Sequence, residues 1–301
     1  MRTTMRVIFA GMLVLLAGCS GKVPEFDGNF AYKMLLEQCE LGARVPGSPE
    51  IELCRDYIIS KLQKYGAEVN DQTFSVEIEG DTLSGVNIIG SFYPELSRRI
   101  LFGAHYDTRP WSDKEEDTEK WQIPVPGGND GASGVAVLLE LGRILSTTMP
   151  PEYGVDLVFF DLEDMGQYEQ NDSWCLGSEY FAQNYSGEKP ELAIVIDMIG
   201  DNDLEIPLEY HSYHNSPALV RKIWNIADRL EISEFKTRID KAVFDDHYRL
   251  IQAGFNAIDI IDFDYEWWHT TRDTPDKCSA ESLRKVGRVL TYFLYKGYVS
   301  D

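Results

Sequence analysis

Hydrophobic spacing divides the chain into two kinds of segment. Phe30, Met34 and Leu35 recur on one helical face, a Val45-Pro46-Gly47-Ser48-Pro49 turn interrupts, and a second helical pattern runs from Glu50 to Tyr65. The period then changes to two. Val69 to Ile78 and Thr82 to Phe92 read as neighbouring strands joined at Glu79-Gly80-Asp81. Beyond them, apolar runs at Arg99 to His105, Val155 to Asp161, Leu192 to Ile199 and Asn256 to Asp262 have the length of strands buried on both faces. Helical patterns follow at Ala132 to Leu145, Gly177 to Asn184, Pro217 to Leu230, Asp245 to Ala253 and Ala280 to Tyr295. This alternation predicts an α/β fold with a mostly parallel central sheet flanked by helices.

A chain of 301 residues, 44% hydrophobic, can bury one sizeable core and does not demand two. No repeat or linker splits it, so a single domain is expected over residues 29–301. The first eighteen residues stand apart. Arg2 and Arg6 form a basic segment, Val7 to Leu16 an apolar one too short to span a bilayer, and Leu16-Ala17-Gly18-Cys19 a small-residue cleavage pattern. The order resembles a bacterial lipoprotein signal. It implies cleavage before Cys19, a lipid on that sulfur, membrane attachment through it, and a periplasm-facing place in the cell envelope, with residues 19–28 as a tether. The formal charge of −22, from 28 basic and 50 acidic side chains, would repel nucleic acid, which is excluded as a partner. Of the four later cysteines, Cys39 and Cys54 flank the turn between two helices and are the one plausible disulfide pair.

The polar residues carry the chemistry. In an open α/β sheet the ligand crevice lies beyond the carboxyl ends of the strands. Here His105 and Asp107 end the first apolar run, Asp161, Glu163 and Asp164 the second, and Asp197 the third. Asp130 precedes a helix within Gly127-Gly128-Asn129-Asp130-Gly131, and His269 follows the last strand. Taken singly, Asp130 could merely cap a helix and His105 could be a core histidine. Gathered at one edge, the carboxylates would repel one another and lose hydration. A divalent cation resolves the conflict, and mixed carboxylate and imidazole ligation suits zinc.

Six ordered motifs resemble the zinc-aminopeptidase superfamily and, within it, the animal-type glutaminyl cyclases. They are Gly103-Ala104-His105-Tyr106-Asp107, Asn129-Asp130-Gly131-Ala132, Phe159-Phe160-Asp161-Leu162-Glu163-Asp164, Ile196-Asp197-Met198-Ile199-Gly200, Asp245-Asp246-His247 and Trp268-His269-Thr270. The resemblance, which also takes in the Arg44 to Pro49 turn and Asn87-Ile88-Ile89, implies the zinc-exopeptidase fold. In the di-zinc aminopeptidases, His105 and Asp197 would bind one ion, Asp164 and His269 another, and Asp130 would bridge them. In the cyclases one zinc per chain is held by Asp130, Asp164 and His269. Asp-Asp-His in place of Ser-Asp-His, and Trp268 in place of Tyr, favour the cyclase.

That resemblance implies conversion of N-terminal glutamine of peptides or proteins to pyroglutamate with release of ammonia; the alternative is removal of N-terminal residues by a di-zinc aminopeptidase. Glu163 would shuttle the proton, with Asp197 and Asp245 in a hydrogen-bonded network around it. Trp268 and Tyr168 would wall the glutamine side chain. His105 and Asp107 would stand behind the ligands, the carboxylate accepting from the imidazole. Two departures bear on the site: Asp164 replaces the glutamate usual in animal cyclases, and Glu169 stands where they carry a tryptophan, with Tyr168 beside it and Trp174 further on. The acidic stretch from Trp111 to Pro126 reads as a solvated surface loop.

Overall fold

The computed structural model describes residues 22–78, 80–148 and 153–297. In chain order the main elements are α1 (Gly28–Cys39), α2 (Pro49–Lys64), β1 (Glu68–Ile78), β2 (Asp81–Phe92), β3 (Arg99–His105), α3 (Ala132–Thr147), β4 (Gly154–Phe160), α4 (Leu176–Gln183), β5 (Leu192–Asp197), β6 (Ile206–Leu208), α5 (Tyr210–Asn215), α6 (Pro217–Arg229), β7 (Phe235–Ile239), α7 (Asp246–Gln252), β8 (Ala257–Ile261) and α8 (Ala280–Tyr292). The central sheet has the order β1-β2-β4-β3-β5-β8, and β6 and β7 form a separate parallel pair. Pairings among β4, β3, β5 and β8 are parallel, while β1, β2 and β4 are joined antiparallel. The expected mostly parallel sheet is present, extended by an antiparallel hairpin.

Period-two geometry sorts the apolar strand residues onto two faces. Ile100, Phe102, Ile194 and Ile196 join the large core beneath α1, α3 and α8, whereas Leu101, Val158, Ala193 and Val195 join the smaller one with Phe181, Leu250 and Phe255. Helix α3 is buried on nearly every side. Its Gly134 permits the close approach, since a Cβ there would lie 2.7 Å from the carbonyl oxygen of Ile196.

Three expectations need correction. The tether is docked from its second half onward: Phe26 is buried against Gly287, and Asp27 caps α1 by accepting from the Phe30 N–H at 3.0 Å. Cys39 and Cys54 do not pair, and all four described cysteines are free. Cys54 is instead a small apolar core residue among Met34, Leu35 and Ile58, the usual fate of a buried thiol. Elements β6, α5 and β7, three to six residues each, were not foreseen. The signal segment and Cys19 lie outside the described residues, among which no helix is long and apolar enough to cross a membrane.

Candidate metal centre and catalytic pocket

Parallel strands deliver their last residues to one edge. His105 ends β3, Asp161 to Asp164 follow β4, and Asp197 ends β5, while Asp130 sits just before α3, Asp245 caps α7 and His269 lies in the loop after β8. Braces fix these loops. Arg44, fully buried, donates to the carbonyls of Pro126 and Gly127 at 2.6 Å each, and Asp273 accepts the backbone N–H of Asn129 (2.8 Å) and Asp130 (3.2 Å). Asp107 accepts the N–H of Glu163 (3.2 Å) and Asp164 (3.1 Å). Gly131 cannot carry a side chain, because a Cβ would lie 2.5 Å from Nε2 of His105. Leu162, Cys175, Met198 and His269 all hold left-handed backbone, with φ of 56°, 56°, 47° and 55°. Such conformations cost about 1–3 kcal/mol each and cluster where a fold positions functional groups.

Asp130, Asp164 and His269 present ligand atoms within 4.8 Å of one another, all buried. Nε2 of His269 faces Asp164 Oδ1 at 3.1 Å and Asp130 Oδ2 at 3.7 Å. Asp164 Oδ2 is buried with no hydrogen-bond partner. A buried oxygen without a donor is costly, and a cation among one imidazole and two carboxylates satisfies it. The donor set therefore fits zinc. Burial pushes Asp164 up to about 7 against the pull of Arg109, and pushes His269 down to about 3, leaving a neutral imidazole able to ligate.

A second group, His105, Asp130 and Asp197, adjoins the first. Nε2 of His105 lies 3.0 Å from Asp130 Oδ1 and 3.2 Å from Asp197 Oδ1. Burial opposes its charge, yet the carboxylates of Asp107, Asp130 and Asp197 outweigh burial and raise it well above the usual range. Asp107 stands 3.5 Å from Nδ1, an ionic contact; Nδ1 has no hydrogen-bond partner. The expected hydrogen bond from the imidazole to Asp107 is thus replaced by bonds from the backbone of the acidic pair.

Glu163 opens onto a cavity of about 190 Å³ that Asp130, Asp197, Asp245 and His269 also line. Its carboxyl is raised well above the ordinary range by burial and by Asp164, Asp245 and Asp246, with His105 opposing. Burial likewise lifts Asp197 to about 7. Asp245 goes the other way: burial would raise it, but the attraction of His247, 3.8 Å away, outweighs burial and lowers it. The Cys175 thiol donates to Glu163 Oε1 at 3.1 Å, a contact the sequence did not announce.

Tyr168, Trp174, Phe244, Phe263 and Trp268 form the aromatic wall. Trp268 and Tyr168 stand where the sequence placed them, and Trp174 completes the wall, stacked on His269 with ring centroids 6.0 Å apart and 7° between planes. The stretch after Trp111 is only partly a solvated loop. Arg109, 1% exposed, grips Asp113 at 2.9 and 2.6 Å and donates to the Asp164 carbonyl at 3.1 Å, and the Lys114 N–H donates to the His269 carbonyl at 3.1 Å. Arg44, Arg109, Asp273, Trp174 and Cys175 are the contributors that motif reading missed as site residues.

A mixed α/β sheet with a carboxylate and histidine metal cradle at its strand ends defines a zinc-exopeptidase type of protein. Residues 87–294 match peptidase family M28, and the chain belongs to that family. It is similar to the glutaminyl cyclase of Bacteroides thetaiotaomicron solved with N-acetylhistamine, with 34% identity, a TM-score of 0.89, and coverage of 91% of this chain and 99% of that one. A leucine aminopeptidase precursor from Bacteroides thetaiotaomicron VPI-5482 is as similar, with 35% identity, a TM-score of 0.89 and the same coverage. The glutaminyl-peptide cyclotransferase of Bos taurus is 21% identical over 291 residues, covering 83% of this chain and 77% of that protein. Two further curated bacterial relatives are longer, and the matches span 52% and 44% of their lengths.

Proposed function

We propose that this protein is a zinc-dependent glutaminyl cyclase, acting on peptides or proteins with N-terminal glutamine. The observation that carries the reading is Glu163: a carboxyl raised by burial, opening onto the same small aromatic cavity as Asp130 and His269. In this reaction the α-amino nitrogen attacks the γ-carboxamide carbon, a C–N bond forms, and the bond to the side-chain nitrogen breaks as ammonia leaves. Glu163 takes the proton released by the attacking amine and returns it to the departing nitrogen, a task suited to a carboxyl with a raised pKa. Asp130, Asp164 and His269 would hold one zinc ion, whose chemistry is Lewis-acid polarisation of the γ-carbonyl oxygen. Asp197 and Asp245, on the cavity wall, orient the amine, Asp245 as the ionised member. Trp268, Trp174 and Tyr168 enclose the apolar stem of glutamine and exclude water, which suits a cyclisation that consumes none.

One zinc is supported by the cyclase-type neighbours of the ligand positions, Asp245-Asp246-His247 and Trp268. His105, with Nε2 3.0 Å from Asp130 and 3.2 Å from Asp197, then serves as a hydrogen-bonding neighbour of the cradle. The aminopeptidase reading draws on five ligand-type residues, His105 and Asp197 together with Asp130, Asp164 and His269, and on the similarity to the leucine aminopeptidase precursor. One assay separates them: the zinc-loaded protein is given glutaminyl and leucyl anilides, and ammonia is measured against free amino acid. Ammonia from the glutaminyl substrate, with one metal equivalent, is the expected result. Free leucine with two metal equivalents overturns it. We further propose that the mature chain begins at a lipid-bearing Cys19 in the bacterial cell envelope, which rests on the order of basic, apolar and small-residue segments before it.

A further inference from the structure

We propose that Tyr168 is a positioning residue for the metal centre: its hydroxyl oxygen accepts the Nδ1–H of His269 and aims Nε2 at Asp130 and Asp164. This rests on the reading of those three residues as the zinc cradle. Tyr168 Oη lies 3.0 Å from His269 Nδ1. A neutral imidazole carries one hydrogen, and ligation through Nε2 requires that hydrogen on Nδ1. An acceptor at Nδ1 therefore decides both tautomer and ring direction. Carboxylates and backbone carbonyls commonly fill that role. The nearby carboxylate, Asp113 Oδ1, is 3.7 Å away, too far for a hydrogen bond. The phenol takes its place.

The ring that carries this hydroxyl is held independently of any substrate. Lys114 Nζ sits 4.1 Å from its centroid, Trp268 meets it edge-on at 6.5 Å, and Trp174 lies tilted to it at 5.9 Å. Lys114 is in turn tied to the His269 loop through its own N–H. Tyr168 and His269, 101 residues apart, are thus clamped by the same short stretch of chain. The wall function belongs to the ring and the orienting function to the oxygen.

Tyr168→Phe separates the two. Zinc affinity is read by competition with a chromophoric chelator, with no substrate present, and the His269 ring N–H by nitrogen-15 NMR of the zinc-loaded protein. The variant is expected to bind zinc about 10–100-fold more weakly, the usual worth of a residue that orients a metal-ligating histidine, and to lose the slowly exchanging Nδ1 proton. Unchanged zinc affinity, with any effect confined to KM, makes Tyr168 a wall residue alone and overturns the proposal. Asp164→Asn distinguishes the levels of failure. If it weakens zinc binding while Tyr168→Phe does not, the cradle stands and the role of Tyr168 falls; if neither does, the cradle falls with it.

Discussion

Glu163→Gln separates proton transfer from metal binding and from folding. The side chain is 9% exposed, its Oε1 accepts the Cys175 thiol at 3.1 Å, and its backbone N–H is held by Asp107 at 3.2 Å. Glutamine keeps the length, the backbone bond and, through its amide oxygen, an acceptor for the thiol. Because burial and three neighbouring carboxyls favour the uncharged acid, a neutral amide costs the fold little. The variant loses the base itself, and general acid–base catalysis is worth about 100- to 10,000-fold, or about 3–5 kcal/mol of barrier. Ammonia release from glutaminyl peptides should fall by that factor, with zinc content and thermal midpoint unchanged. Asp164→Asn should instead lower zinc content, and turnover with it, by depriving the cradle of an anionic ligand. Turnover of Glu163→Gln within a few-fold of the parent, or loss of its zinc, would refute the division of labour between these adjacent residues.

Arg109→Met leaves Asp113 and Asp164 without their shared cation, and losing one partner of a buried ion pair costs about 3–5 kcal/mol; a lowered denaturant midpoint in the zinc-free protein checks it. The Glu209–His247 pair, in contact at 3.1 Å, gives a pH signature. For His247, the hydrogen bond to Glu209 and the charges of Glu209 and Asp245 override burial and raise the imidazole to about 9, so its stabilisation is complete below about pH 6.5 and is lost as pH rises through 9. For Glu209, His247 and backbone donors override burial and lower the carboxyl to about 2, so its share is complete above about pH 4.5 and is lost as pH falls through 2. Glu209→Gln should therefore flatten the decline in melting temperature between pH 6.5 and 9, and an unaltered slope counts against the pairing. Cys19→Ser should move the protein from the membrane to the soluble fraction, and continued membrane association after normal processing contradicts the lipid anchor.

What the sequence made legible follows from distance along the chain. Strand β3 was read at its true limits, Arg99 to His105, because a strand buried on both faces must be a short apolar run and a ligand-type residue after it must lie at the sheet edge. The set of three proposed metal ligands came from the resemblance to the cyclases; Asp130 and Asp164 lie close to element boundaries, and His269 lies in the loop after β8. Strands β6 and β7 gave no comparable signal, since three and five residues carry too little periodicity and their pairing spans two intervening helices. Trp174, Cys175 and Arg109 reach the site from loops whose paths are set by packing, so no spacing rule could have assigned them. The two histidines show the limit most clearly. Each stands in a motif beside buried carboxylates, and by residue type they are interchangeable. His105 lies among three carboxylates that raise its pKa, whereas His269 lies beneath Trp174 and Trp268 with Arg109 and Lys114 near, and burial lowers it. A neutral imidazole can ligate a metal and a protonated one cannot, so it is the environment, through side chains drawn from five separate segments, that drives two residues of one type apart, and the proposal of His269 as the ligand draws on that difference.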